Sequence, residues 1–315
     1  MLQALSCLVA FAAATVVVAT LQTDAGSIVA ERVTNLTRES KWSLVTSVPM
    51  SFRTHHPQGL VKIRDRFILS SVEKRVPTKP SAPTAEGYDR DTGEGVGHLF
   101  EIDSAGTLLT DLRIGEGSIY HPGGIDYDGT HVWVPVAEYR PNSRSIVYRV
   151  DPRTMKATEV FRFADHIGAI VHDTEDRTLH GVSWGSRRFY RWTLDEEGRV
   201  TNTDASPEAL RTLNTSHYLD YQDCKFAGRR RMVCTGVTEM RRPGDASPFR
   251  LGGIDLIDLR DGRPVHQVPV LLWTASGMDM THNPVWLEPS AAGLRGYFMP
   301  EDDTSTLYVY DVEVK

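Results

Sequence analysis

Lysine and arginine are missing from the first 31 residues of the chain, and cysteine is scarce throughout, with only Cys7, Cys224 and Cys234. The apolar, uncharged run from Ala4 to Leu21 is the one stretch long enough to suggest a leader or an anchor. It predicts a signal peptide over residues 1–25 and an exported protein with no membrane contact once that peptide is removed. No phosphate-binding loop, no Gly-x-Gly-x-x-Gly turn and no Cys-x-x-Cys pair occurs, so nucleotide cradling and zinc-finger folding have no support. Serine-nucleophile chemistry is not expected either. Charge of one sign is also lacking. The net charge is −6 and Arg229-Arg230-Arg231 is a short turn cluster rather than a basic face, which argues against nucleic acid as a partner.

What is present is one hairpin used repeatedly. His121-Pro122-Gly123-Gly124-Ile125-Asp126-Tyr127 reads as a strand, Asp128-Gly129 as a tight turn, and Val132 to Glu138 as an apolar return strand. Copies run from His56 to Glu73, from His217 to Glu239 and from His282 to Glu301. A weaker copy runs from His166 to Trp184, where tryptophan replaces the closing glutamate. Each copy is followed by two further strand patterns, which makes four strands per repeat. The fifth repeat ends at Val312 with no fourth strand, and Trp42 to Val48 is an unpaired strand that can fill the gap. That arrangement predicts an all-β fold, a β-propeller closed by an N-terminal strand, since radial closure protects sheet edges. The opening histidines are spaced by 65, 45, 51 and 65 residues, which predicts five four-stranded blades. A six-bladed reading at about 46 residues per blade stays open. The expected organisation is a signal peptide (1–25), a polar segment (26–40) and one propeller domain (41–315), taken to be a monomer.

Two smaller features follow from export. Cys224 and Cys234 lie five residues on either side of Arg229 at a hairpin turn, so they are expected to form a disulfide across two strands. Asn35-Leu36-Thr37 and Asn214-Thr215-Ser216 match the glycosylation sequon.

The first strand of each propeller blade lines the axis, so His56, His121, His166, His217 and His282 are expected to converge on one face. Neutral imidazole is a good ligand for a divalent transition metal such as zinc, iron or manganese. Glu73, Glu138, Glu239 and Glu301 are placed to accept the other ring N–H groups. Glu138 and Glu239 are the expected general bases, and Arg140 is placed to hold an anionic group. Gln58, Tyr221 and Gln222 are expected near the same face. The loop from Lys74 to Gly95 would overhang its mouth, where a small molecule or glycan would bind.

His121-Pro122-Gly123-Gly124-Ile125-Asp126, the return strand Val132 to Glu138 and the matched hairpins resemble a family of exported β-propeller proteins that carries only a domain-of-unknown-function label. The resemblance covers nearly all of the chain after Ser40 and brings no activity with it. More distantly the chain is similar to the gluconolactonase, strictosidine-synthase and paraoxonase group, whose axial metal is held by Glu, Asp and Asn; the histidines here depart from that pattern. The expectation is therefore an exported metal-dependent hydrolase or lyase acting on a small or sugar-derived substrate. The alternatives are a metal-dependent oxygenase and a non-catalytic module that binds a glycan or a protein.

Overall fold

The computed structural model of the chain describes residues 25–244 and 247–314. The expected signal peptide therefore lies, apart from its last residue, outside the described residues. Five antiparallel sheets follow one another around an axis as a five-bladed β-propeller. The N-terminal strand β1 (Trp42–Pro49) belongs to the last blade. Blade I is β2 (His56–Ile63), β3 (Arg66–Val76), β4 (Glu94–Ile102) and β5 (Leu108–Ile114). Blade II is β6 (Ile119–Pro122) with the short β7 (Asp126–Tyr127), then β8 (Val132–Glu138), β9 (Ser145–Asp151) and β10 (Lys156–Phe163). Blade III is β11 (Ile167–Asp173), β12 (Thr178–Ser183), β13 (Arg188–Thr193) and β14 (Arg211–Leu213). Blade IV is β15 (Asp220–Phe226), β16 (Arg231–Met240), β17 (Phe249–Asp258) and β18 (Pro264–Val270). Blade V is β19 (Val285–Ser290), β20 (Gly293–Phe298) and β21 (Thr306–Glu313), and β1 completes it by pairing Trp42 with Val312 and Val48 with Leu307.

Two parts of the chain differ from the sequence expectation. In blade III the second of the two strand patterns after the hairpin, at Arg199-Val200-Thr201, makes only a single bridge from Val200 to Leu194, and β14 is the fourth strand instead. The segment expected to be polar contains a helix over residues 25–34, which with the turn after it buries Val29, Ala30, Val33 and Leu36 against blades IV and V. Those four apolar residues recur at helical spacing, so the pattern was readable. Arg32 anchors the helix by donating to the Ser290 carbonyl at 3.0 Å. No helix among the described residues is long and apolar enough to cross a membrane.

The inner strands approach so closely that the axis is closed in its middle. A Cβ on Gly123 would sit inside the Gly168 carbonyl, and one on Gly59 would lie 2.5 Å from the Ile125 nitrogen. The Gly124 amide instead donates to Gly168 O at 2.8 Å, a bond between the inner strands of blades II and III. Asp223 completes the closure. Its carboxylate accepts the amides of Leu60 (2.9 Å, blade I) and Ile125 (3.2 Å, blade II) and pairs with Lys225, which also donates to Ile125 O at 2.6 Å. Among the described residues a cavity lies at each end. One, of about 320 Å3, lies between Lys62, Trp286 and the N-terminal helix. The other, of about 260 Å3, lies at the opposite ends of the same inner strands.

Cys224 and Cys234 are bonded, S–S 2.05 Å, as a directly opposed pair on β15 and β16 with Cα atoms 4.1 Å apart. Closing a loop of this length removes about 2–3 kcal/mol of denatured-state freedom. The double variant Cys224→Ser, Cys234→Ser should lose about that much in urea unfolding. A loss under ~0.5 kcal/mol would mean that the pair is not bonded in the folded protein.

His180 on β12 is an acid-sensitive point of the core. Burial, with a smaller push from Arg191, takes its imidazole from 6.5 down to about 3, and Thr178 Oγ1 lies 2.9 Å from Nε2. A base whose folded pKa is depressed stabilises the fold only above its unfolded value, so this contribution falls away as pH drops below about 6.5. At pH 5 the loss is about 2 kcal/mol. Urea unfolding at pH 7 and pH 5 should show His180→Asn losing about that much less than the wild type over the interval. Equal losses would contradict the assignment.

Candidate functional site

The cavity at the His56 end of the axis collects four of the five opening histidines. His56 begins β2, His121 sits in β6, His166 immediately precedes β11, and His282 lies in the loop before β19; all four line the same space. The ring centroid of His121 is 6.4 Å from that of His56 and 5.9 Å from that of His166. His217 does not join them. The chain leaves the sheet before β15, the ring is exposed, and its Nδ1 faces Arg187 Nη1 at 2.8 Å. Blade IV instead presents Tyr221 and Gln222 to the cavity.

Burial holds three of these rings neutral. His121 is pushed well below 6.5 by burial first, then by the charges of His166 and His56. Burial takes His166 down to about 4 and, aided by Arg250, also lowers His282. Neutral rings keep a lone pair for a ligand. Hydrogen bonds fix which nitrogen carries it in two cases. His56 Nδ1 donates to Asp302 Oδ1 at 2.8 Å, and His166 Nδ1 donates to the Glu138 carbonyl at 2.8 Å. Each bond leaves Nε2 as the acceptor; at His56 the Gln58 amide lies 2.9 Å from it. Burial alone would raise Asp302, but the hydrogen bonds it accepts from His56 and Asn283 outweigh it and lower its carboxyl. His121 is bonded at neither nitrogen although it is 4% exposed, and Nδ1 of His282 and Oδ1 of Asn283 are likewise buried without a partner. Each such atom costs about 1–3 kcal/mol if nothing ever fills its need.

The four closing glutamates do not meet the rings. Glu138 is buried in an ion cluster with Arg140 (2.7 Å), Arg144 (2.6 Å) and Ser118. Glu73 pairs with Arg75 and stands 3.8 Å from His98, Glu239 pairs with Arg250, and Glu301 accepts from Tyr308 and the Thr306 amide. The register explains it, because Glu138 pairs with Ile119, and His121 pairs with Ala137. In three of the four blades the residue after the glutamate stands on the axial side instead, as alternation along a strand would place it, while Met240 after Glu239 is exposed. The three axial residues are Lys74, Tyr139 and Asp302. Tyr139 stacks on His121 at 4.3 Å, and Trp184, which replaces the glutamate in blade III, meets His166 edge to face at 4.8 Å. Sequence reasoning missed Asp302 and Asn283, which lie in loops where no strand period marks them.

Arg140 is committed to Glu138 and lies 3.7 Å over the ring of Tyr88, so it is not free to hold a substrate. The loop between β3 and β4 does overhang the cavity, with Arg90 over Trp184 at 4.9 Å and Gly87 O bonded to Asn142. Gly181-Val182-Ser183-Trp184-Gly185 carries the Gly-x-Ser-x-Gly spacing, against the expectation that serine chemistry had no motif. The spacing is not an elbow here. Ser183 ends a strand that runs into a 3-10 turn, and its hydroxyl accepts the Arg188 amide at 2.9 Å. Of the sequon residues, Asn35 is exposed, while Asn214 is buried and its amide nitrogen donates to Ser186 O at 2.8 Å, which is at odds with a glycan there.

Fold and site together define a five-bladed propeller with an imidazole-lined axial pocket. The chain belongs to the Family of unknown function (DUF6454), which it matches over residues 16–315. No curated protein matches it. Among solved structures it is similar to a luciferin-regenerating enzyme, at 9% identity and TM-score 0.48 over 87% of this chain and 95% of that one. It is also similar to the tail fibre of Staphylococcus aureus phage P68, at 10% identity and TM-score 0.47 over 90% and 55%. A third similarity is to hydrazine synthase of Kuenenia stuttgartiensis, at 11% identity and TM-score 0.36 over 81% and 58%. The chain thus spans little more than half the length of the last two.

Proposed function

We propose that this chain is an exported metal-dependent enzyme whose axial site binds one divalent transition ion through Nε2 of His56, His121 and His166. The observation that carries the reading is His121, a buried, neutral imidazole with both nitrogens unpartnered, between two histidines whose Nδ1 atoms are already anchored. His56 and His166 thus already have the second hydrogen bond that metal-ligating histidines make as a rule, and His121 does not. Three protein ligands leave a position for water or substrate, as catalytic sites require. Among the described residues no group of three or more His, Cys, Asp or Glu side chains already stands in coordinating geometry. Two imidazoles on one tetrahedral ion have centroids about 5 Å apart. The rings at 5.9 and 6.4 Å therefore need to close by about 1 Å, with Gln58 releasing Nε2 of His56.

His282 faces the same space as a neutral ring with an unpartnered nitrogen, which places it to accept a proton as general base. The ion would polarise a carbonyl or activate water, and the chemistry we favour is hydrolysis or elimination on a small, sugar-derived molecule. The disulfide supports export, because such bonds persist in oxidising compartments. Elemental analysis of protein purified without added metal or a chelating tag should find about one equivalent of zinc, iron or manganese. Metal-free protein that takes up none on titration would end the proposal.

A further inference from the structure

We infer that the ligand of this site is a carboxylate-bearing sugar ring, a uronate, with Lys74 receiving the carboxylate. This rests on the reading of the site as a metal centre for its full weight, but its first observation does not depend on the ion. Lys74 follows Glu73 on β3 and turns to the mouth of the cavity. Its ammonium stands 6.0 Å over the Tyr139 ring, and its charge presses His121 and Asp302 further down. No carboxylate among the described residues forms an ion pair with it. The acids around the cavity are already engaged: Asp302 by His56 and Asn283, Glu138 by Arg140 and Arg144, Glu73 by Arg75, and Asp220 by Arg187. An ion held only by neutral imidazoles would keep its full double charge. Asp302, bonded only to neutral donors, keeps one negative charge beside them, so the ion together with Lys74 would still leave the pocket with a net positive charge that an anionic ligand balances.

The walls set the rest of the ligand. Tyr139 and Trp184, 5.6 Å apart, form an aromatic wall of the cavity, with one face of Tyr139 taken by His121 and one face of Trp184 by Arg90, so a sugar ring would lie along what remains of that wall. Gln58, Gln222 and Asn283 supply amides for hydroxyls, and Oδ1 of Asn283 awaits a donor. At about 260 Å3 the space falls just below the ~300 Å3 at which ordinary ligand pockets begin, so it suits one ring rather than a chain.

Calorimetric titration of D-glucuronate and D-glucose into wild type and Lys74→Met, each with and without chelator treatment, tests the inference. Wild type should bind glucuronate at least about tenfold more tightly than glucose, and Lys74→Met should lose about tenfold for glucuronate while keeping its metal content and melting temperature. Equal affinities for the two sugars, no binding of either, or an unchanged glucuronate affinity in Lys74→Met would overturn it. The two readings fail separately. Lys74-dependent glucuronate binding by a protein that takes up no metal keeps the carboxylate subsite and removes the ion. One equivalent of metal with binding indifferent to Lys74 does the reverse.

Discussion

Replacing Asp223 by alanine should cost about 3–5 kcal/mol, the largest loss of stability expected from any single change outside the hydrophobic core. Asp223 is 1% exposed and is the point at which blades I, II and IV are tied across the axis. Burial pushes its carboxyl up to about 7, against the pull of Lys225 and the amide bonds. The substitution leaves the Lys225 ammonium in the closed axis with only carbonyl partners and orphans the amides of Leu60 and Ile125. Breaking a buried pair from one side costs more than the pair itself contributes, because the remaining charge stays desolvated. Asp223→Asn keeps an acceptor for one amide and should lose less. Urea denaturation at neutral pH measures both. A loss below ~1 kcal/mol for Asp223→Ala would show that the blades close without this link.

His121→Ala should lower metal affinity by at least about a hundredfold while leaving the fold at or above wild-type stability. The first half follows from its central place between His56 and His166. The second follows from its two orphaned nitrogens, since removing buried polar atoms that have no partner relieves a cost of about 1–3 kcal/mol each, set against the loss of stacking on Tyr139. A structural histidine would behave in the opposite way, with metal content unchanged and stability reduced. His217→Ala serves as the control, because its exposed ring should affect neither quantity. Metal competition titrations together with urea unfolding of the three proteins separate the cases.

The blades were legible because each hairpin advertises itself twice, by alternating apolar residues and by turn pairs such as Asp128-Gly129. The closing strand was legible as the one strand left without a partner. Other parts depend on the three-dimensional path of the chain. His217 carries the same residue type as the true pocket histidines, and only the path of the chain between β14 and β15 takes it out of the ring. The glutamates were misplaced by a single residue, and in a strand that error moves a side chain to the opposite face. Lys74 was placed only as the start of the overhanging loop, and Asp302 was hidden by the same one-residue offset. The role of Asp223 depends on amides from two other blades, more than ninety residues away in sequence.

The central claim is that imidazoles from separate blades share one ion at the axis. X-ray absorption at the metal edge, on protein loaded with one equivalent of zinc, counts those ligands directly. The account predicts three imidazole nitrogens at about 2.0–2.1 Å with a light-atom donor completing the shell, and one nitrogen fewer in His121→Ala. A spectrum of oxygen donors alone, or one unchanged by that substitution, would place the ion elsewhere and contradict the account.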